Sequence, residues 1–265
     1  MRALSLHADV VVATSLFWQT TCTAVRNGDE AFLIDSPVFP EELEALPALL
    51  GQAGFEITGL LATHGDWDHL LGRQAYPEAS LGCGETTAAR LRAEPGAAQR
   101  ELRDFDDENY VVRAPLSLPA AQALPVPGRC ELGGQEIELH PADGHTSDGT
   151  AYWLGWTGVL VAGDYLSPVE IPWLSASGSL DAYAATLERL RPLVERAGHV
   201  VPGHGSPQPR DAALAILEED AAYLERLRAD GAGAALPPRV GASKAQAAIH
   251  AENVSRTVAA LGSQQ

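Results

Sequence analysis

The six residues His64-Gly65-Asp66-Trp67-Asp68-His69 carry four side chains that can each donate a lone pair to a metal ion. Imidazole nitrogens and carboxylate oxygens at this density suit zinc, iron or manganese. A divalent ion held by such donors acidifies a bound water and polarises a carbonyl or phosphoryl oxygen. The group directly follows the apolar run Leu60-Leu61-Ala62, so one buried strand can deliver it as a unit.

Three more segments share the same grammar, an apolar run, a small-residue turn and then a ligand type. They are Asp143-Gly144-His145-Thr146-Ser147-Asp148 after a run ending at His140, Val159-Leu160-Val161-Ala162-Gly163-Asp164, and Val200-Val201-Pro202-Gly203-His204-Gly205. Glycine lets the backbone turn sharply off a strand end and present the next side chain. Strand ends at one rim of a sheet could therefore aim His64, Asp66, Asp68, His69, His145, Asp164 and His204 at one point. His7, His140, His199 and His250 are read as surface or structural groups. Thr146 and Ser147 are read as stabilising their turn through local hydrogen bonds. Tyr165 is read as a packing residue, with donation to a substrate oxygen as the alternative. Trp67 and Trp173 are either pocket walls or plugs at a layer edge.

The elements that must hold these residues follow from periodicity. Short β-type runs occur at Val10–Ala13, Thr20–Arg26 and Ala31–Ile34, the last two separated by Asn27-Gly28-Asp29. Leu43, Leu46, Leu49 and Leu50 mark a helix over Pro40–Gly54, and Thr58–Thr63 reads as a buried strand. Further strands are expected at Gln135–His140, Ala151–Leu154, Gly158–Ala162 and His199–Val201, with helices at Leu180–Ala197, Arg210–Ala229 and near Ser243–Leu261. Strands alternating with helices predict a layered α/β protein whose sheets are covered on both faces. Glu94–Gly128 is charged at first and then holds Pro115, Pro119, Pro125 and Pro127, so an irregular insertion is expected there.

The order of the four motifs resembles the metallo-β-lactamase superfamily, whose usual signature is H-x-H-x-D-H followed by separate His, Asp and His ligands. The likeness runs from about residue 10 to residue 207, and Gly178–Gly205 is particularly similar to glyoxalase-II-like members. It implies a four-layer αββα sandwich of two mixed β-sheets flanked by helices over residues 1–209, including the insertion at 94–128. A helical extension, 210–265, would pack on the same domain. By the same resemblance a first ion is held by His64, Asp66, His145 and a bridging Asp164, and a second by Asp68, His69, His204 and the same Asp164. The cofactor implied is two divalent ions, zinc first, with iron or manganese as competitors. Asp66 stands where the family has its second histidine; ligation is preferred over the alternative of a helix N-cap. An anionic oxygen in place of imidazole makes bound water harder to deprotonate and makes harder ions more competitive. A carboxylate at this position also resembles flavodiiron members.

Composition narrows the function. The formal charge of −17 arises from 35 acidic against 18 basic residues, with no basic cluster to meet a phosphate backbone, so nucleic-acid binding is not expected. Three cysteines at no metal-like spacing argue against a disulfide framework and for a reducing, cytoplasmic setting. No apolar run reaches the length of a membrane span. The resemblance to glyoxalase-II-like members implies a metallo-hydrolase in which a metal-bridging hydroxide attacks a small thioester, lactone or other ester and Asp68 both ligates and orients the nucleophile. The protein would be a monomer or homodimer acting on small molecules. A diiron oxidoreductase handling oxygen, nitric oxide or a sulfur compound is the rival reading.

Overall fold

The computed structural model describes residues 1–118, 120–241 and 243–262, the last four by their backbone only. Its first sheet begins as an antiparallel meander, β1 (Arg2–His7), β2 (Val10–Thr14), β3 (Thr21–Asn27) and β4 (Glu30–Asp35). The β3–β4 hairpin closes through Gly28-Asp29 between the paired Asn27 and Glu30, and Gly28 takes the positive φ of 60° that such a tight turn demands. The chain then runs through α1 (Pro40–Gln52), β5 (Ile57–Ala62), α2 (Gly72–Ala75), β6 (Ser80–Gly84), α3 (Glu85–Ala93), α4 (Ala97–Asn109) and β7 (Gln122–Leu124). β5, β6 and β7 add in parallel beyond β4, which gives the sheet order β1-β2-β3-β4-β5-β6-β7.

The second sheet is built from β8 (Gly128–Leu132), β9 (Gln135–Pro141), β10 (Thr150–Leu154), β11 (Val159–Gly163), β12 (His199–Pro202) and β13 (Gln208–Pro209), in the order β13-β12-β11-β10-β9-β8. Its one parallel pair, β11 with β12, is joined by α5 (Leu180–Arg196), and α6 (Arg210–Asp230) and α7 (Lys244–Gly262) complete the chain. Both sheets are mixed.

Strand alternation sorts the side chains into three cores. Val10, Val12, Ile34, Leu61, Tyr152, Val161 and Val201 meet between the sheets. Their neighbours Val11, Ala13, Leu33 and Leu60 face α1 and α4 on one side, and Leu160, Ala162 and Val200 face α5 and α6 on the other. A period of two therefore makes every central strand apolar on both faces, and four layers, αββα, are needed to cover them. α6 sets Ala213, Leu217, Tyr223 and Leu224 into the same core as Leu187 and Leu190 of α5. No helix among the described residues is long and apolar enough to cross a membrane.

One expectation fails, and one strand is missed. Glu94–Gly128 is not an irregular insertion throughout: it contains α4 and β7, and its longest described stretch without regular structure lies between those two elements. α4 is overlooked because its buried residues, Ala98, Leu102 and Phe105, are few and stand among charged ones, although their i, i+4, i+7 spacing is that of a helix face. β1 is missed because it is an exposed edge strand, with its first four residues open to solvent. Pro119 and residues 263–265 of the expected C-terminal extension lie outside the described residues.

Candidate metal centre

All seven sequence-predicted residues converge where β5, β9, β11 and β12 end. The two sheets are sewn together at this rim: Thr150 N–H donates to Thr63 O at 2.7 Å, the Tyr152 hydroxyl donates to Ala62 O at 2.7 Å, and Thr21 N–H donates to Gly203 O at 2.8 Å. After β5 the chain passes His64 and Asp66 into a single 3₁₀ turn, Trp67–His69, which carries Asp68 and His69. Asp164 leaves β11 and stands in the middle. Its Oδ2 lies 3.3 Å from both His145 Nε2 and His204 Nε2 and 3.8 Å from His64 Nε2, while its Oδ1 lies 3.2 Å from His69 Nε2. On one flank Asp66 Oδ2 lies 3.6 Å from His64 Nε2 and 3.4 Å from His145 Nε2. On the other, Asp68 Oδ2 lies 3.6 Å from His69 Nε2 and 3.5 Å from His204 Nε2. The result is two lobes of N and O donors that share Asp164. His7, His140 and His250 sit elsewhere, beside Asp9, Glu138 and Tyr223 respectively.

The surrounding hydrogen bonds fix which imidazole nitrogen faces inward. His145 Nδ1 is 2.9 Å from Trp173 O and His204 Nδ1 is 3.2 Å from Trp18 O; a carbonyl only accepts, so Nδ1 carries the proton in both. The Thr63 hydroxyl donates its single proton to Asp35 Oδ2 at 2.9 Å, so at 3.0 Å from His64 Nδ1 it can only accept. Asp35 Oδ2 also lies 3.0 Å from His69 Nδ1, a charge contact without hydrogen-bond geometry that still leaves Nε2 facing inward. Every imidazole thus turns Nε2 toward the centre, the outer-shell arrangement typical of metal-binding histidines. Asp35, 3% exposed and at a left-handed φ of 61°, organises two of the four and was not singled out from the sequence. It obeys the same grammar, an apolar strand ending in a ligand type, and could have been found by it. Tyr165 is a packing and positioning group, since its hydroxyl donates to Asp143 O at 2.7 Å and accepts from His145 N–H at 3.0 Å. Thr146 ties its own turn by donating to Asp148 O at 2.6 Å.

Asp66 precedes the 3₁₀ turn with extended backbone, but its side chain makes no capping hydrogen bond. One carboxylate oxygen faces His64 and His145, and the other receives Arg90 of α3 at 2.8 Å. Arg90 reaches on to Asp148 Oδ1 at 2.9 Å, and Asp148 Oδ2 accepts from Gly65 N–H at 2.9 Å. This bridge closes a ring around the start of the motif. Neither Arg90 nor Asp148 was assigned a role from the sequence, because α3 was not recognised and no local signal pairs residues so far apart.

The electrostatics are those of a cluster that binds either protons or cations. Burial by itself depresses the imidazoles, yet Asp164 and Asp66 raise His145 to about 9, and Glu170 and Asp164 raise His204 to about 10. Burial likewise opposes charge on the carboxylates, but the four histidines hold Asp164 well below the usual range, and His145 and His64 do the same for Asp66. His64 Nε2, His69 Nε2, His145 Nε2 and Asp164 Oδ1 are buried without a hydrogen-bond partner among the described residues, a costly state that a shared cation relieves. The donor set therefore fits divalent metal, and loading it would release protons.

Gly203 shows how closely the rim is built. A Cβ there would fall 1.9 Å from Asp164 Oδ1. The backbone cannot yield easily, since Gly203 N–H donates to Gly163 O at 2.6 Å and Gly203 O accepts from Thr21. Gly203→Ala is expected to push Asp164 aside and weaken metal binding by about 10- to 100-fold, the range for lost ligand support. Competition with a chromogenic chelator measures it; unchanged affinity would remove Asp164 from the ligand set.

Comparison with known proteins agrees with this architecture. Residues 16–204 match the family model of the metallo-beta-lactamase superfamily. Similar solved structures include a metallo-beta-lactamase family protein from Thermus thermophilus, with TM-score 0.68 and 22% identity over 96% of each chain. A metallo-beta-lactamase from Pontibacter korlensis has TM-score 0.60 and 19% identity, covering 82% of this chain and 98% of that one. A stereoselective inverting sec-alkylsulfatase from Pseudomonas sp. has TM-score 0.70 and 15% identity, covering 86% of this chain and 42% of that one. At these identities the likeness speaks for fold and not for substrate. A family model matched across most of the chain, on a fold that gathers histidines and aspartates at one rim, places this protein in the metallo-beta-lactamase superfamily, a group largely of metallo-hydrolases that bind divalent metals.

Proposed function

We propose that this chain is a metal-dependent hydrolase of small thioesters, lactones or other esters, working with two divalent ions. The observation that carries the reading is the pair of N/O lobes joined by Asp164. His64, Asp66, His145 and Asp164 would hold one ion, and Asp68, His69, His204 and Asp164 the other. When bound, such ions lower the pKa of water and polarise the substrate carbonyl. The protein's part is orientation. Asp35, Thr63 and the carbonyls of Trp18 and Trp173 lock the imidazoles, and Asp68, between His69 and His204, offers its second oxygen to the proton of the attacking water. Zinc suits the four imidazoles; the carboxylate of Asp66 keeps iron and manganese in competition. The acidic balance of the chain disfavours phosphodiesters of nucleic acids.

Elemental analysis of protein purified without added metal or chelator is the test. About two zinc or manganese ions per chain, with turnover in a panel of thioesters and lactones, is the expected result. The rival, a diiron oxidoreductase, draws on Asp66 alone, and about two irons per chain with a redox-active spectrum would replace the hydrolytic reading.

A further inference from the structure

Beside the ligand cluster opens a cavity of about 370 Å³ with an unusual wall. Trp18 comes from the β2–β3 loop, Trp67 from the 3₁₀ turn, Glu101 from α4, Glu170 and Trp173 from the loop after β11, and Glu252 from α7. Asp68, Asp164 and His204 form the side shared with the metal centre. Asp164 is there with its side chain only 10% exposed and Oδ1 unpartnered among the described residues, so the cavity ends on groups that require a ligand.

Two of the three indoles are presented, while Trp67 is 8% exposed and backs the wall from the core. Trp18 is 48% and Trp173 36% exposed, and the Trp18 ring centroid stands 5.8 Å from that of Trp67. Both are anchored. Trp173 Nε1 donates to Glu252 at 2.9 Å. Trp18 and Gln19 both hold left-handed φ values, 50° and 52°, while Gln19 O accepts from Gly205 N–H at 2.9 Å and Glu42 grips Ser15 and Leu16 just upstream. Consecutive non-glycine residues in that region persist only where their surroundings over-determine them, commonly at ligand sites.

The charge of the wall has one sign. No lysine or arginine is among the described residues that line the cavity; Arg90 is engaged by Asp66 and Asp148, and Lys244, at the start of α7, is not part of the lining. Asp66, Asp68 and Asp164 face the metal centre and would be offset by any cation held there. Glu252 is held by the Trp173 indole and Glu170 faces His204, which leaves Glu101 as the exposed carboxylate of the wall. Indole faces attract cations through the ring quadrupole, most strongly alkylammonium groups that shed water cheaply. An anionic group placed against this wall, away from the metal centre, would meet carboxylates and no lysine or arginine among the described lining residues.

We propose that this cavity selects ester substrates bearing an alkylammonium group, with the cation against Trp18, Trp67 and Trp173 and the ester at the ligand cluster. The reaction rests on the hydrolase reading above, whereas the cation site does not, so the two are tested apart. The net charge of −17 would steer such substrates toward the protein.

Titration of the protein as purified with tetramethylammonium chloride, against sodium chloride at equal ionic strength, reads the cation site alone by indole fluorescence and calorimetry. Saturable binding is expected, weakened about tenfold or more in Trp18→Ala and in the double variant Glu101→Gln/Glu170→Gln. Glu101 is exposed, so its replacement spares the core. Butyrylthiocholine is then compared with the 3,3-dimethylbutyl thioester, its neutral isostere. A preference in kcat/KM of about tenfold or more for the charged ester, shrinking in the double variant, supports the inference. Binding without turnover of any ester keeps the cation site and sinks the hydrolase reading. Absence of saturable tetramethylammonium binding, or equal rates on the two esters, overturns the inference.

Discussion

Asp68→Ala is expected to lower kcat/KM on any ester the protein turns over by about 10²- to 10⁴-fold, the range spanned by a positioned acid–base group, while leaving the fold intact. Asp68 is 6% exposed, and its carboxylate lies between His69 and His204 without accepting a backbone hydrogen bond. What ties this residue into the fold is its carbonyl, which accepts from the Ser36 hydroxyl at 3.3 Å, and that bond survives the substitution. Loss of the side chain therefore removes a ligand and a water-orienting oxygen together and little else. Stopped assays on purified variant, with circular dichroism for the fold and elemental analysis for metal content, separate the contributions. Asp68→Asn keeps one ligating oxygen and loses the proton acceptor, so it should retain metal better than it retains turnover. Activity within a few-fold of the parent in Asp68→Ala would sink the mechanism.

Arg90→Met is expected to act on stability and metal binding at once. Arg90 bridges Asp66 and Asp148, and Asp148 is 2% exposed, so removing the guanidinium leaves Asp148 buried without its ion-pair partner and Asp66 with only His64 and His145 beside it. Breaking a buried pair from one side costs about 3–5 kcal/mol; with Arg90 itself 19% exposed, the lower end applies. For a chain of this size that corresponds to a fall in Tm of about 6–12 °C. The same guanidinium restores locally the positive charge that is lost when a carboxylate stands in the second histidine position, and it directs the other Asp66 oxygen toward His64 and His145. Binding at that lobe should weaken by about 10- to 100-fold, as it does when outer-shell partners are removed elsewhere. Arg90→Lys, a point charge without the fork, should fall between, since one ammonium does not reach both carboxylates with the same geometry. Differential scanning calorimetry and metal titration read the two effects, and an unchanged melting temperature together with unchanged stoichiometry would discard the bridge.

These two variants mark the boundary between what could be read along the chain and what could not. Asp68 was legible because it lies inside a dense local motif behind an apolar strand. Arg90 was not, since it contacts Asp66 across 24 positions of sequence from a helix whose stripe was too weak to recognise. Asp66 itself illustrates both sides. Its place in the motif posed the choice between cap and ligand, and only its side-chain direction, with no capping bond and Arg90 on its outer oxygen, distinguishes them.

The same division holds for the whole molecule. The order of residues along the chain was enough for covered α/β layers and for the convergence of the seven histidines and aspartates, while the two mixed sheets were implied by the resemblance of the motif order to the metallo-β-lactamase superfamily. Period-two burial and glycine turns at strand ends are local properties, and a strand that ends in a ligand must present it at the rim. Long-range packing was needed for the tautomers set through Asp35 and Thr63, the bridge through Arg90, and the placing of α4 against the site, where the Phe105 ring centroid lies 4.6 Å from that of Trp67. It also brought Trp18, Trp67, Trp173 and three glutamates from five separate segments into one cavity. Those contacts join residues far apart in the chain, and a one-dimensional pattern carries no distance between them; the packing of the two sheets and their helices supplies it.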